Sequence, residues 1–563
     1  MSLKVFEVEK NIIETINRAI LKAQENGALC EGEITPFNIE IPNDRSHGDY
    51  ATNAAMVNAR VFKRSPRDIA TAICDNLETD GTYIKSFEIA GPGFINLTLS
   101  DRYYSDILVD VKEKGEDYGK SDFGEGKSVL VEFVSANPTG PMHIGNARGG
   151  ALGDCLAAVL GAAGYDAKRE FYVNDAGNQI EKFKTSLETR YLQLFDETIE
   201  MPEDAYLGED IINHAKAFKE IHGDKFVNAQ SEERRTALCD FALPKNIQGL
   251  EDDLAKYRII YDRWYRESEL HNSGAVAEVI DRLKQSGYTY EQAGALWFKS
   301  TEFGDEKDRV LIRDNGIPTY FVPDIAYHYD KLVNRKFDVA IDVLGADHHG
   351  YIARMKAAME ALGVDPQRLQ ILIMQMVRLV KNGETYKLSK RSGKAITLST
   401  LLDEMPIDAA RFFFNLREPN SHLEVDLDLA ISESSQNPVY YVQYAHARIC
   451  SILRNLKAQK IESPDNITAE NLDCLTSSEE RELIRHIASY TGEIITSAKE
   501  YNPSVITRYA ITLATLFHKF YNACPVKSAQ EDLRNARIEL CVATKTVIKN
   551  VLDLLKIDAP EQM

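Results

Sequence analysis

Residues 131–150 read VEFVSANPTGPMHIGNARGG, and this stretch predicts an α/β fold. An apolar strand over residues 128–134 runs into a loop that two prolines and a glycine break, and helical periodicity resumes over residues 147–160. The loop therefore lies at the carboxyl end of a strand. Open α/β sheets bind nucleotides at that edge, because unpaired N–H groups and the dipole of the following helix favour negative charge there.

The start of this helix carries candidate phosphate ligands. Gly145 allows close approach of the backbone, while His143 and Asn146 offer side-chain donors to phosphate oxygens. A His-Ile-Gly tripeptide is weak support by itself, since an ordinary loop with a surface histidine accounts for it better.

A second segment changes that balance. Residues 387–393 read KLSKRSG and follow the polar turn 381–384, so three cations flank two hydroxyls. Transfer chemistry on a polyphosphate needs cations that neutralise the charge growing on the bridging oxygens as pyrophosphate leaves. The alternative is a solvated basic turn on the surface. The two segments together are far more specific than either one.

The pair of segments resembles the two signatures of class I aminoacyl-tRNA synthetases, and the chain most resembles the arginyl-tRNA synthetases of the bacterial type. The likeness covers essentially the whole chain. It runs through FVSANPTGPMHIGN, YVNDAGNQI, PTYFVPDIAYH, LGADHHGY, NPVYYVQYAHAR and the final IDAPEQM. It implies an α/β Rossmann-like catalytic domain, a small α+β N-terminal domain and an all-α C-terminal helical bundle.

The resemblance implies an arginine–tRNA ligase that uses ATP with Mg²⁺. L-arginine would be activated to arginyl-adenylate and then transferred to the 3′ end of tRNA(Arg). The implied catalytic residues are His143, Asn146, Lys387 and Lys390. The implied ATP-binding residues are Pro138, Thr139, Gly140, His143, Gly145, Asn146, Met376, Val377, Lys387, Ser389 and Lys390.

Two residues depart from the class pattern. Asn146 stands where the class usually has a second histidine. An amide donates a hydrogen bond but carries no charge, so nucleotide binding is expected while its contribution to the transition state stays open. Arg391 replaces the final serine of the second signature, which matters less because both lysines are present.

Selection of arginine needs carboxylates in bidentate geometry beside an aromatic or polar wall. Tyr320 and Asp324 lie four residues apart, a spacing that puts both on one side if the chain turns helical after Pro323. A common alternative for Asp324 is a carboxylate at a helix start. The arginine-binding residues that the resemblance implies are Glu132, Asn137, Tyr320, Asp324 and His348.

Residues 345–350, GADHHG, invite a metal hypothesis that we reject, because adjacent histidines point in different directions and no ligand at helical spacing follows. We expect instead a strand over 337–344 that delivers polar residues to the same crevice. The next strand, 371–377, resembles the adenine-binding edge of the family, where backbone groups of Met376 and Val377 would read the base. A buried core strand is the alternative.

The C-terminal region has long helical periodicity with one unusual segment. Tyr441, Tyr444 and Arg448 are spaced three and four apart, which suits stacking of single-stranded bases. By resemblance they belong to an anticodon-binding bundle that Tyr521 and Met563 complete; without the resemblance, core packing is favoured. Near the N-terminus the turn with Phe94 and Asn96 matches the family's contact with the corner of the tRNA. Burial of Phe94 in the core is nearly as good a reading.

These patterns predict three domains. They are a tRNA-contacting α+β domain at 1–115, a Rossmann-like catalytic domain at 120–435 with a helical insertion at about 181–297, and a helical anticodon-binding domain at 436–563.

Composition agrees with this organisation in most respects. The 563 residues are 44% hydrophobic, and the N-terminus lacks a signal-peptide pattern, so we expect a cytoplasmic chain without membrane partners. Eight scattered cysteines without a Cys-x-x-Cys pair predict reduced thiols and no structural metal. A chain this modular is expected to work as a monomer.

The net charge of −20 opposes binding of a polyanion, but residues 441–563 hold 15 basic and 15 acidic side chains, so the acidic excess lies elsewhere. We expect local basic faces there. Three alternatives stay open. They are a small-molecule nucleotidyltransferase, a synthetase for another amino acid, and a catalytically silent paralogue that binds RNA or a protein partner.

Overall fold

The computed structural model describes residues 4–42, 44, 47–386, 397–462, 464 and 467–563. The predicted second signature, with Lys387, Ser389 and Lys390, lies outside this part of the chain. None of the helices within the described ranges is long and apolar enough to cross a membrane.

The N-terminal region is a small α+β unit. Its helices are α1 Lys4–Glu25, α2 Ala54–Val57, α3 Ala59–Phe62, α4 Pro66–Asp75 and α5 Asp101–Lys114. Its strands are β1 Ile39–Glu40, β2 Tyr50–Thr52, β3 Ile84–Ala90 and β4 Phe94–Leu99, which pair antiparallel in the order β1-β2-β4-β3. Val8, Ile12 and Ile16 recur every four residues and are buried, so α1 packs its apolar stripe into the core.

The central region alternates strands and helices. Its strands are β5 Ser128–Phe133, β6 Asp166–Val173, β7 Arg263–Arg266, β8 Thr289–Gln292, β9 Ala295–Phe298, β10 Arg309–Ile312, β11 Val339–Gly345, β12 Leu369–Met374, β13 Val377–Lys381, β14 Glu384–Thr385 and β15 Leu423–Asp426. Its helices are α6 Ile144–Ala162, α7 Gly177–Gln193, α8 Glu209–His222, α9 Ser231–Lys256, α10 Glu267–Ser273, α11 Ala275–Gln285, α12 Phe321–Tyr329, α13 Tyr351–Ala361, α14 Leu398–Glu404, α15 Ile407–Phe414 and α16 Leu427–Ile431.

Five of these strands form a parallel sheet in the order β12-β11-β5-β6-β7. The predicted Rossmann-like fold is thereby confirmed. Strand β5 is central, and its register with β11 sets Asp342 opposite Glu132 at the carboxyl ends of the strands. Two carboxylates therefore stand side by side at the edge where such sheets bind ligands.

Helix α6 packs closely on β5 and fixes the loop between them. A Cβ at Gly153 would lie 2.2 Å from the ring of Phe133, so only glycine permits this approach. The predicted strand and helix on either side of the 134–143 loop are both present. The N-terminus of α6 consequently opens onto the carboxyl edge of the sheet.

The helical insertion predicted at about 181–297 also contains strands. Helices α7, α8 and α9 lie there, but β7 pairs with β6 in the central sheet, and β8 and β9 form an antiparallel hairpin. The four-residue strand RWYR escapes detection by its pattern because two arginines flank two adjacent aromatic rings, without the alternation of polar and apolar residues that marks a strand. Trp264 stacks on Phe171 of β6 with ring centroids 4.2 Å apart.

The C-terminal region is a bundle of helices, α17 Pro438–Ala458, α18 Ala469–Leu472, α19 Ser478–Ala488, α20 Tyr490–Glu500, α21 Ser504–Ala523 and α22 Glu531–Leu555. The N-terminal sheet docks on it through buried polar contacts. Asp49 is 4% exposed and accepts hydrogen bonds from Arg485 Nε at 2.7 Å and from the Tyr104 hydroxyl at 2.8 Å. Arg481 pairs with Asp101 beside them. Hydrogen bonds and ion pairs thus join the N-terminal region to the C-terminal bundle.

Candidate active site

A cavity of about 670 Å³ opens at the carboxyl edge of the parallel sheet, where α6, α12 and β11 meet. Six of the residues predicted for ligand binding line it. They are Glu132, Gly145, Asn146, Asp324, His348 and Met376. Residues from four segments far apart in sequence therefore converge on one site.

The start of α6 is arranged to receive an anion. His143 is the N-cap residue, and its backbone N–H donates to Asn146 Oδ1 at 2.9 Å. That bond occupies the amide oxygen, so the NH₂ group is the part of Asn146 that can reach a ligand. A Cβ at Gly145 would meet no described heavy atom within 4 Å, so this helix end is open.

The first signature contacts the residues at which the described chain resumes after the second signature. His143 and Thr397 form an isolated antiparallel β-bridge, and Leu398 N–H donates to the Met142 carbonyl at 2.9 Å. The chain segment that carries the two signature lysines therefore returns to the described structure beside the first signature.

The remaining predicted residues of this loop lie outside the lining of the cavity. Pro138 and Thr139 are buried, and the Pro138 carbonyl accepts a hydrogen bond from Asn246 Nδ2 at 2.9 Å. Asn137 is exposed, and like Gly140 and His143 it does not contribute to the lining of the cavity. The described structure therefore places these predicted residues at the rim of the cavity or behind it.

Asp324 lies in the first turn of α12 with its carboxyl group enclosed at the cavity. Burial raises the pKa of this carboxyl to about 7; the charges of Glu267 and Glu132 add to the rise in pKa, while His328 and Arg354 oppose it. A cationic ligand would favour the ionised form. The site thus holds a carboxyl group whose unfavourable burial a guanidinium would relieve.

Tyr320 does not line the cavity, although its helical dihedral angles, φ −57° and ψ −22°, lead directly into α12 and keep it on the same side of the helix as Asp324. Helix α12 begins at Phe321, two residues before Pro323, and Tyr320 is its N-cap. Proline is tolerated there because the first four N–H groups of a helix have no partner within the helix. The Tyr320 side chain is 57% exposed and lies outside the cavity lining.

Next to Asp324 lies a buried cluster of four charged side chains that the sequence analysis did not predict as a unit. We call it the charged wall, and it consists of Glu132, His328, Lys331 and Asp342. Lys331 is 0% exposed and donates to both Glu132 and Asp342, the latter at 2.8 Å. It belongs to a π-helical turn, Asp330–Asn334, that follows α12. His328 Nε2 lies 2.6 Å from the second oxygen of Asp342.

The sequence held a partial signal for this wall, since His328 lies in the quoted stretch PTYFVPDIAYH. Its pairing partners are far along the chain, however, with Lys331 and Glu132 separated by 199 residues. Local periodicity carries no information on such pairs. Burial alone would raise the pKa of Asp342, but Lys331 and His328 outweigh burial and hold it low.

An aromatic lining completes the pocket, and it too was missed. Tyr172, Tyr327 and Tyr351 line the cavity, and the ring centroids of Tyr172 and Tyr327 lie 4.5 Å apart. The Tyr327 hydroxyl donates to Glu170 at 2.6 Å. Arg354 stacks on Tyr351 at 5.2 Å. The cavity thus combines flat apolar faces with two carboxyl groups outside the charged wall, those of Asp324 and Asp347.

The predicted adenine edge is only partly right. Strand β12 ends at Met374 rather than at Val377, because Gln375 N–H bonds to the Pro419 carbonyl at 2.9 Å and leaves the sheet. Met376 lines the cavity and is 77% exposed, whereas Val377 begins β13 and pairs with Leu423 in a separate sheet. Of these two residues, Met376 lines the cavity and Val377 does not.

Arg148, one turn into α6, fixes this edge. Its side chain is fully buried and donates to three carbonyls, those of Gln375 at 2.6 Å, Ser421 at 3.0 Å and Glu418 at 3.0 Å. Burial lowers the pKa of its guanidinium to about 10. The first signature therefore carries a cation that holds the backbone beside Met376 in place.

His348 lines the cavity with 48% of its side chain exposed, 3.5 Å from Asp347. Within the described ranges, no group of three or more His, Cys, Asp or Glu side chains is placed to hold a metal ion. The GADHHG segment instead delivers polar groups to the mouth of the cavity.

The predicted base-stacking residues form one cluster on α17 and α21. Tyr444 is 39% exposed, Arg448 lies 4.7 Å from the Tyr521 ring centroid, and His518 sits between Tyr441 and Tyr444. His518 was missed; burial and Arg448 lower its pKa to about 4. Met563 is also exposed.

The two N-terminal residues predicted to contact tRNA, Phe94 and Asn96, are partly or fully buried. Asn96 is 5% exposed and its amide donates to Glu88, while Phe94 is half-buried. Burial of Asn96 argues against its direct contact with a nucleic acid.

Comparison with known proteins covers the whole chain. Residues 107–451 match the model of the catalytic domain of class I (R) tRNA synthetases, residues 10–99 that of the arginyl tRNA synthetase N-terminal domain, and residues 442–563 that of the DALR anticodon binding domain. The chain is 51% identical to an arginine–tRNA ligase of Acetivibrio thermocellus and covers 100% of both chains.

It is 53% identical to an arginine–tRNA ligase of Caldanaerobacter subterraneus over 99% of each. The solved arginyl-tRNA synthetase of Thermus thermophilus superimposes with a TM-score of 0.73 at 23% identity, covering 99% of this chain and 100% of that one. That last likeness concerns the fold alone.

Proposed function

The chain belongs to the arginyl-tRNA synthetase family and is an arginine–tRNA ligase, and from this premise we propose which residues carry each step. The observation that carries the proposal is the enclosed carboxyl of Asp324, which faces a cavity lined by tyrosines at the nucleotide edge of the sheet. A planar cation that also stacks suits this combination.

Asp324 binds the guanidinium of L-arginine, with Tyr172, Tyr327 and Tyr351 as its flat walls. Glu132 and His348, which line the same cavity, face the polar groups of the amino acid. Asn137 and Tyr320 lie at the rim, so their contact with arginine rests on the family resemblance alone.

ATP lies along the start of α6. The N–H groups there, the NH₂ of Asn146 and the ring of His143 bind phosphate oxygens, and the backbone at Met376 meets the base. The predicted loop contacts at Pro138, Thr139 and Gly140, and that of Val377, rest on the resemblance. Mg²⁺ accompanies ATP as part of the substrate complex and balances phosphate charge.

The first step is an in-line displacement. A carboxylate oxygen of arginine attacks the α-phosphorus, the bond to the bridging oxygen breaks, and pyrophosphate leaves from arginyl-adenylate. Lys387 and Lys390, with Ser389 between them, neutralise the charge that grows on pyrophosphate. In the second step a ribose hydroxyl of the terminal adenosine of tRNA(Arg) attacks the arginyl carbonyl and AMP leaves.

The domain division 1–115, 120–435 and 436–563 assigns tRNA contacts to the outer regions. Tyr441, Tyr444, Arg448, Tyr521 and Met563 bind the anticodon by stacking and cation–π contact. We place the enzyme in the cytoplasm, where its tRNA is used, and expect it to act as a monomer.

The test is formation of arginyl-tRNA from labelled arginine, ATP and total tRNA, run beside arginine-dependent pyrophosphate exchange with and without tRNA. Charging with arginine supports the proposal. Tight tRNA binding without charging would indicate a silent paralogue, and charging with another amino acid a different specificity. Nucleotide transfer to a small molecule would indicate a nucleotidyltransferase.

A further inference from the structure

Both ring nitrogens of His328 face hydrogen-bond acceptors. Nδ1 lies 2.7 Å from the backbone carbonyl of Asp324, and Nε2 lies 2.6 Å from Asp342 Oδ2. A carbonyl and a carboxylate oxygen can only accept, so both nitrogens must carry a proton. The ring, which is 3% exposed, is therefore a buried imidazolium.

The charges of the buried wall then balance. His328 and Lys331 supply two positive charges, and Glu132 and Asp342 supply two negative charges. The second oxygen of Glu132 accepts from the Ser135 hydroxyl at 2.8 Å. Each buried charge has an opposite partner, which is the condition for keeping such groups in an interior.

We propose that His328 is a positioning residue that sets the charge of the amino acid pocket, so that Asp342 does not compete with Asp324 for the guanidinium of arginine. The hydrogen bond from His328 Nδ1 to the Asp324 carbonyl holds the first turn of α12, which carries the Asp324 side chain. The hydrogen bond from Nε2 pairs the positive charge of the ring with the negative charge of Asp342. Without His328, Glu132 and Asp342 would share one lysine. A spare carboxylate would then compete with Asp324 for the guanidinium.

Burial supports this division of roles. Asp342 is 2% exposed and lies between two cations, whereas Asp324 contributes its backbone, not its carboxylate, to His328. The ring of Tyr351 packs near the ring of His328, and their centroids are 6.2 Å apart. The inference rests on the proposed role of Asp324 in arginine binding.

The test is a double-mutant cycle on arginine-dependent pyrophosphate exchange in the presence of tRNA. His328→Gln leaves the wall one charge too negative, and Asp342→Asn leaves it one charge too positive. Each is expected to raise the KM for arginine about tenfold with little change in the KM for ATP. His328→Gln should also lower the preference for arginine over ornithine and lysine about tenfold.

The double variant restores the balance of charge, so its KM for arginine is expected to return to within about threefold of the parent. Purely structural damage would instead add up across the two substitutions, and that outcome would overturn the proposal. His422→Gln, at an exposed position, is the matched control.

A second measurement does not depend on folding of the variants. Nitrogen-15 NMR of the histidine-labelled parent should show a proton on both ring nitrogens of His328, as the two acceptors require; a ring nitrogen without a proton would overturn the proposal. Asp324→Asn separates this test from that of the proposed function. If Asp324→Asn leaves the KM for arginine unchanged, the arginine site itself is misassigned. If Asp324→Asn raises this KM strongly but the double variant of His328 and Asp342 does not recover the KM of the parent, only the role of His328 is refuted.

Discussion

His143 and Thr397 pair through their backbones in a two-residue β-bridge, which ties the start of α6 to the end of the segment that carries Lys387 and Lys390. The adjacent hydrogen bond, from Leu398 N–H to the Met142 carbonyl, is 2.9 Å long. Sequence segments far apart are thereby held at one point of the proposed ATP site.

Leu398→Pro should lower the rate of pyrophosphate exchange about tenfold more than Leu398→Ala does, because both lose the buried side chain but only proline lacks the N–H. Proline fits this position, since Leu398 is the first residue of α14 and Thr397 is extended at φ −86° and ψ 163°. Equal rates for the two variants would show that the bond does not matter.

Lys390→Ala should reduce the rate of arginine activation by about 100-fold or more, since one cation that offsets charge on the leaving pyrophosphate is lost. The affinity for tRNA, measured by filter binding, should change little. Lys284→Ala on the exposed face of α11 is the control. Loss of tRNA binding with normal activation would contradict the assignment of the second signature.

The affinity for arginine should depend on pH through Asp324. The pKa of its carboxyl is raised to about 7, so the ionised fraction of the free enzyme is about one tenth at pH 6 and nine tenths at pH 8. Arginine binds the ionised form, and its Kd should therefore fall about tenfold between pH 6 and pH 8. Calorimetry in buffers of different ionisation enthalpy should detect a proton released on binding at pH 6.

Asp324→Asn is the control for that titration. The variant should bind arginine weakly with no dependence on pH in this range. It should also melt higher than the parent at pH 8, because the parent must bury an ionised carboxylate that the amide replaces. A Kd for the parent that is flat from pH 6 to pH 8 would remove Asp324 from the guanidinium site.

Tyr444→Ala should weaken tRNA binding about tenfold, whereas Tyr444→Phe should leave it nearly unchanged, because stacking on a base needs the ring and not the hydroxyl. Tyr444 is 39% exposed, so neither change should disturb the core. The Kd for tRNA reports the result. If the phenylalanine variant is as weak as the alanine variant, the hydroxyl and not the ring is what the tRNA contacts.

The sequence predicted what depends on local pattern. The alternation from strand to broken loop to helix around residues 128–160 located β5 and α6, and the signature residues led to the nucleotide edge. A charge argument and the family motif singled out Asp324, which lines the cavity. Each of these signals is local in the sequence.

What failed depends on contacts between distant residues or on where a helix begins. Helix α12 begins at Phe321 and not after Pro323, and the exposure of its N-cap residue Tyr320 could not be read from the local pattern. The pairing of Lys331 with Glu132 and Asp342 follows from the register of β5 and β11, which no local pattern encodes. Strand β7 could not be predicted from its own composition, because its place in the sheet depends on pairing with strand β6.

The docking of the N-terminal sheet on the C-terminal bundle has a consequence for synthesis of the chain on the ribosome. Asp49 and Arg485 are separated by 436 residues. At translation rates of about 5–20 residues per second, Asp49 waits roughly 20 to 90 seconds for its partner. During that time the Asp49 carboxylate and the surrounding face of the first domain, which the finished molecule buries, are exposed to solvent. Chaperones and proteases can therefore bind this face on the nascent chain but not on the folded protein.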